Sequence, residues 1–387
     1  MKKYKRFFLF FFLNAFALER AIFYIYFLSA GHTPSQVSLL QVLLFSSLFL
    51  AEIPTGIIAD VFGKKVSVIV GVLLKAVSLI LQAMFVGSFA MLMVSFVLYA
   101  IGLSCISGSL TSLLYENARK NNELSFFARL MAGAELIDSV GLAVAMILGP
   151  FVKEYFASWS PVYFITAGAN VFAALSIATV YEASNRTHEG DERRFAIKNL
   201  FANARTLFPL ALPIALVHAC MTPFFVNSQL LLNELKGGLS AVGASIGFTE
   251  LLSGLYVFLI LKHSISFTRS KLAPAIGFVA ALCAANMIGN FYVTCLLLLI
   301  ANIIVIYLRI SLQDVLNQRI TSDSVRASSL SFVTFLDTIF ISIGYLFFGL
   351  LSHYFSVKIC ISALAIFPVI SLFVLARIPS LNKESKI

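Results

Sequence analysis

The chain is 387 residues long, 60% hydrophobic and only 12% charged, with a formal charge of +10 and a mean hydropathy of +0.94. That composition excludes a soluble globular protein and points to an integral membrane protein. A basic excess of this size also fits a nucleic-acid binder, so the placement of the charges has to decide.

A hydrocarbon core about 30 Å thick takes roughly 20 apolar residues per helix, and such runs recur from Phe7 almost to Arg377. Barrel strands would alternate, whereas "VLLFSSLFLAEIPTGIIA" is apolar on every side, as a helix in lipid is. The pattern predicts an all-α membrane protein of twelve transmembrane helices, at about 7–30, 36–60, 65–86, 88–115, 125–149, 160–182, 207–232, 239–261, 271–289, 291–312, 327–350 and 355–377. Of the 28 Lys and Arg, 22 fall on the side of the N-terminus when the loops are taken alternately. Three (Lys153, Lys236 and Lys358) fall on the other side, and Arg20, Lys75 and Arg309 lie within spans. This positive-inside bias places both termini in the cytoplasm and the protein in the inner (cytoplasmic) membrane, with no nucleic-acid partner.

The first segment, "MKKYKRFFLFFFLNAF", begins like a signal peptide but runs too long and has no small-residue cleavage site, so it is read as an uncleaved first span. By its rise per residue, Glu19 and Arg20 lie about 18 Å into that helix, near the bilayer middle. Neighbours on a helix are about 100° apart, so both can border one cavity. Ionisable groups at that depth are costly, and each is a functional hypothesis with a partner to find.

After the second span comes "GIIADVFGKK". Gly56 lacks a side chain where helices cross, Gly63 permits a tight turn, and Lys64 and Lys65 keep to the cytoplasmic face, leaving Asp60 as the member in need of an explanation. Lys75, inside the third span, either turns inward to an acid or snorkels. In the fifth span Glu135 lies one turn before Asp138 on the same face, a candidate proton site that salt bridges to Arg20 or Lys75 would oppose.

The longest polar stretch, Glu182 to Thr206, divides the chain into a half at 1–182, a cytoplasmic loop at 183–206 and a second half at 207–387. A shift of 198 residues aligns Ser47, Glu52, Gly56 and Lys64 with Ser245, Glu250, Gly254 and Lys262, and Glu116 with Asp314, as expected of two similar halves. His218, in the Pro-interrupted "FPLALPIALVHACMTPFF", follows Arg20 by the same shift, and Asp337 follows Asp138 by one residue more. Phe224, Phe225, Asn227, Gln229, Tyr24 and Tyr26 offer an aromatic and hydrogen-bonding wall. The five cysteines sit singly in apolar helices without metal-ligand spacing and read as packing residues.

Gly56, Asp60, Gly63, Lys64 and Lys65 spell G-x-x-x-D-x-x-G-K-K between the second and third spans, which resembles the signature loop of the major facilitator superfamily. Twelve spans, a central loop and two similar halves extend the resemblance over nearly the whole chain. It implies two pseudo-symmetric six-helix halves with the first, fourth, seventh and tenth helices round a central cavity, so that Arg20 and His218 would face each other across it. It also implies that Asp60 meets the start of the eleventh helix near Ala327 to Ser329 and closes the cytoplasmic side, where a carboxylate at a helix N-terminus gains roughly 0.3 to 1 kcal/mol. The second half has Phe258 where a matching acid would stand, so the gate is expected to be asymmetric. Drug/proton antiporters carry an arginine in the fourth helix and a glycine-proline cluster in the fifth. Here "LYAIGLSCISGSLTSLLYE" has no arginine, and Gly141, Gly149 and Pro150 only approximate the second pattern, leaving Arg20 to supply the cation.

No nucleotide-binding or zinc-protease motif is present, so the chain is not read as an enzyme or a primary pump and needs no cofactor or metal. The expectation is a monomeric secondary transporter in the lipid bilayer that exports a small amphipathic molecule (a drug, siderophore or similar metabolite) by proton-coupled alternating access. Its substrate and proton-coupling residues are expected among Glu19, Arg20, Glu135, Asp138, His218 and Asp337. The alternative is uptake of a small anionic nutrient held by Arg20 and His218.

Overall fold

The computed structural model describes residues 4–182, 204–235, 237–260, 269–319 and 323–377. They form α1 (Lys5–Ala15), α2 (Phe23–Ser29), α3 (Pro34–Phe62), α4 (Lys64–Met84), α5 (Phe89–Lys120), α6 (Phe127–Phe156), α7 (Ser160–Ala178), α8 (Ala204–Glu234), α9 (Gly238–Ile260), α10 (Arg269–Ala285), α11 (Phe291–Arg319), α12 (Asp323–Leu351), α13 (Val357–Ala363) and α14 (Ile366–Ala376). Among the described residues nine helices are long and apolar enough to cross a membrane, and two shorter apolar ones run Ala273–Ile288 and Phe291–Tyr307. With the divided first span these make the twelve spans. Almost all of the central loop, Lys262, and the side chains of Phe258, Arg309, Asp314 and Ala327 to Ser329 lie outside the described residues.

Local chemistry sets several helix ends. Thr33 caps α3: its Oγ1 accepts from Gln36 N–H at 3.3 Å, while Gln36 Oε1 accepts from Thr33 N–H at 2.9 Å. Pro34 stands at the first helical position, where its missing N–H costs nothing. Ser88 Oγ likewise accepts from Met91 N–H at the start of α5.

The chain divides into two compact units, one of residues 1–190 with 237–262, the other of 191–236 with 263–387. The division at the central loop is therefore one of sequence, while packing puts α9 with the first unit. There α4 lies against α5 and α7, α3 against α5, α1 against α6 and α7, and α9 along α6. Small residues let these backbones approach: a Cβ on Gly71 would come to 2.6 Å from Gly102 O, and one on Gly247 to 2.9 Å from Ala143 O. An apolar cluster joins Tyr4, just before α1, and Phe7 and Phe10 of α1 to Val68 and Val72 of α4, Leu113 of α5 and Ile177 of α7.

In the second unit α8 carries α11, α12 and α14 around it, and α10 packs on α11 and α14. α8 stays helical despite Pro209, Pro213 and Pro223. Pro223 has no N–H to offer the carbonyl of Ala219, and the backbone of Gly344 packs against that oxygen. The buried thiols of Cys220 and Cys283 touch at 3.4 Å, so these two cysteines, single in sequence, are neighbours in space.

The first span departs from the expected single helix over 7–30. α1 ends at Ala15, α2 begins at Phe23, and residues 16–22 leave the helix, with turns over 18–22 and Ile22 N–H bonded to Glu19 O at 2.9 Å. The intervening "FALERAI" contains neither Pro nor Gly, and Ala, Leu, Glu and Arg are good helix formers, so local preference does not cause the break. Contacts from other helices hold it. Leu18 N–H donates to Thr166 Oγ1 of α7 at 3.0 Å. Lys75 of α4 donates to Asn14 O at 3.1 Å. On α6, the absent side chains of Gly141 and Gly149 make room for the carbonyls of Phe12 and Leu18.

Candidate functional site

Glu19 and Arg20 sit in this break, not on a continuous helix, so the depth and angle expected of them do not apply. Glu19 is buried, and its Oε2 accepts from Thr166 Oγ1 at 2.8 Å. The same hydroxyl accepts from Leu18 N–H, so one threonine serves both an unwound amide and the carboxyl beside it. Arg20 is half-buried. Both line a small, partly open cleft inside the first unit. The other polar lining residues are Gln41 of α3, Gln82 of α4 and Tyr99 of α5, and the apolar ones are Phe23, Leu44, Leu79 and Phe96.

Lys75 turns inward, though not onto an acid. Its Nζ donates to Asn14 Oδ1 at 2.7 Å as well as to the carbonyl, and lies 5.6 Å from the centre of the Tyr99 ring. The charges of Glu19 and Asp138 act on it from nearby. Asp138 is half-buried on α6 and feels Glu135, Lys75 and Glu250, while Glu135 itself is exposed. The first unit thus brings Glu19, Arg20, Lys75 and Asp138 into one electrostatic neighbourhood.

In the second unit His218 Nδ1 lies 3.1 Å from Asp337 Oδ2. Two of the expected site residues, His218 and Asp337, are therefore partners within one unit. The other carboxyl oxygen of Asp337, Oδ1, is buried without a hydrogen-bond partner among the described residues. Several expected wall residues serve packing instead. Tyr24 donates to Pro34 O at 3.0 Å, Tyr26 to Ala83 O at 3.4 Å, and Tyr26 stacks on Trp159 with ring centres 5.0 Å apart. Phe224 is buried, and Asn227 donates to Pro223 O at 2.7 Å.

At the signature loop, Gly63 has φ +102° and caps α4, a conformation that costs other residues dearly. Glu182 Oε1 accepts from Lys65 N–H at 3.1 Å, so a carboxylate from the end of the sixth span sits on the N-terminus of α4. Lys65 Nζ donates to Val180 O at 3.3 Å, and Lys64 pairs with Glu116 of α5 at 2.6 Å. Gly56 and Asp60 are half-buried in the last turns of α3.

Sequence reasoning passed over Gln41, Gln82, Tyr99, Thr166 and Asn14 because it searched the spans for charge. The two glutamines carried a signal, an amide alone in "SLLQVLLF" and in "LILQAM". Glu182 opens the longest polar stretch, and nothing in its sequence surroundings marks it as a partner of α4. Among the described residues no cluster of His, Cys, Asp and Glu could hold a metal ion.

Twelve spans, a broken first span and a half-polar cleft define a multi-pass membrane carrier. The family profile of the Major Facilitator Superfamily matches residues 7–320, and the chain belongs to that family. Among solved structures, the nucleoside transporter NupG is similar over 97% of this chain and 98% of its own, with a TM-score of 0.76 and 13% identity. A bacterial homologue of the human lysosomal transporter Spinster, inward-facing and unoccupied, is similar over 96% and 94%, with a TM-score of 0.72 and 14% identity. At these identities the likeness is one of fold. A search of curated proteins returned no significant match.

Proposed function

We propose that this protein exports a small amphipathic molecule by proton-coupled alternating access, and that the cleft at the break of the first span is where the molecule is held. The observation that carries the reading is the lining itself, in which Glu19, Arg20, Gln41, Gln82 and Tyr99 are interleaved with Phe23, Leu44, Leu79 and Phe96. The polar residues offer hydrogen bonds and charge of both signs, the apolar ones offer area to bury, and sites that combine the two hold molecules that have both characters. Amphipaths leak inward across bilayers unaided, so an energised carrier for them is most useful in the outward direction. Uptake of an anion is supported less, because each expected cation has an acid beside it, Glu19 next to Arg20 and Asp337 on His218.

Coupling is proposed at Asp138 or Glu19, the acids that share the neighbourhood of Lys75. The test is flux of a fluorescent amphipathic dye in proteoliposomes under an imposed pH gradient. Wild type is expected to accumulate the dye against its gradient. Asp138→Asn or Glu19→Gln is expected to abolish that accumulation yet spare downhill exchange, because losing a titrating group removes the energetic link without closing the path. Full pH-driven accumulation in both variants removes proton coupling from these acids.

A further inference from the structure

The break in the first span poses an energetic problem. α1 ends at Ala15 deep in a transmembrane segment, so its last carbonyls lose their intrahelical partners and the negative end of its dipole points into the interior. Water would answer both needs at a surface; in the hydrocarbon region the chain must. Lys75, one of the most deeply buried charged residues at 3% exposure, stands at that point. Its ammonium meets a backbone carbonyl and an amide oxygen of Asn14 and the face of Tyr99, with the acids Glu19 and Asp138 nearby. Oxygen ligands, a helix C-terminal end and an aromatic face are all features that receive a cation. Carriers built on discontinuous helices often place an alkali-metal ion against such unwound carbonyls and half-helix ends.

We propose that Lys75 is a tethered cation that takes the place of a bound alkali-metal ion at the C-terminal end of α1, and that it acts as the positioning residue of the cleft. The connection to the cleft is direct. Tyr99 lies under Lys75 and lines the cleft, and Leu79 and Gln82 follow Lys75 by four and seven residues on the same face of α4. A chain that carries its own cation has no need of sodium to complete this site.

The test needs no substrate and is independent of the proposed cargo. Full-length protein in lipid nanodiscs is compared in sodium, potassium and choline chloride by its thermal midpoint and by hydrogen exchange over residues 14–22. Wild type is expected to behave alike in all three salts; a sodium-dependent midpoint would overturn the proposal. Lys75→Ala is expected to raise exchange over 14–22 about tenfold, as loss of a charge-assisted hydrogen bond does. Methylammonium chloride, a free cation small enough for the vacated space, is expected to restore protection where choline does not, and no recovery overturns the proposal. Lys75→Met keeps volume without charge and is expected to match Lys75→Ala. Wild-type exchange in Lys75→Met would mean that the lysine only fills space. Should the Lys75 variants not fold, Asn14→Ala removes one acceptor from the other side. It is expected to raise exchange over the same residues, and unchanged exchange there overturns the proposal.

Discussion

Replacing Thr166 by valine tests what keeps the first span unwound. The substitution preserves shape and deletes one hydroxyl, which accepts from Leu18 N–H at 3.0 Å and donates to Glu19 Oε2 at 2.8 Å. Leu18 is buried in the packed break, so its amide regains no water, whereas Glu19 also borders the cleft. In a soluble interior each orphaned group costs about 1–3 kcal/mol. In a bilayer the unfolded chain also finds partners, and interhelical polar contacts fall to about 0.6–2 kcal/mol each. The bilayer figure governs here because residues 16–22 belong to a span, so the two contacts together are expected to be worth about 1–4 kcal/mol. Reversible unfolding in bicelles, by steric trapping or a denaturing-detergent titration, measures the difference. Thr166→Ser keeps the hydroxyl and is expected to stay within about 0.5 kcal/mol of wild type. If Thr166→Val also lies within about 0.3 kcal/mol of wild type, the hydroxyl does not hold the break and the reasoning fails.

Gly149→Ala is expected to destabilise the protein by about 1–3 kcal/mol in the same assay, because the new Cβ would collide with Leu18 O. Gly168→Ala, which has nothing within 4 Å of the added carbon, is the control expected to be neutral or mildly stabilising. For topology, single cysteines at Ser184 and Ser35, in a background without the five native cysteines, are expected to label from opposite faces of the membrane. Labelling from one face rejects the cytoplasmic placement of the central loop.

Much of the architecture was legible because the signals for it are local. A span is a window of apolar residues, and its hydropathy is a sum over neighbours, so α3 to α9 fall close to their expected limits. Intramembrane charges are legible for the same reason: Glu19, Arg20, Lys75, Asp138, His218 and Asp337 stand out against apolar surroundings. The cleft was legible only in part. Arg20 and Glu19 were visible as charges, whereas Gln41, Gln82 and Tyr99 line it without one.

The amino-acid sequence by itself determined the membrane class, the number of spans and the loop from Gly56 to Lys65, because lipid enforces a helix wherever apolar residues run long enough. Tertiary structure alone decided that the first span breaks at 16–22, that Lys75 serves Asn14, that Glu182 caps α4 and that His218 meets Asp337. A helix former leaves the helix only when its freed backbone groups find partners, and here these lie far along the chain: Lys75 is 61 residues from Asn14, and Thr166 is 148 from Leu18. Periodicity and propensity report on residues a turn or two apart, and such partners come together only when whole helices pack.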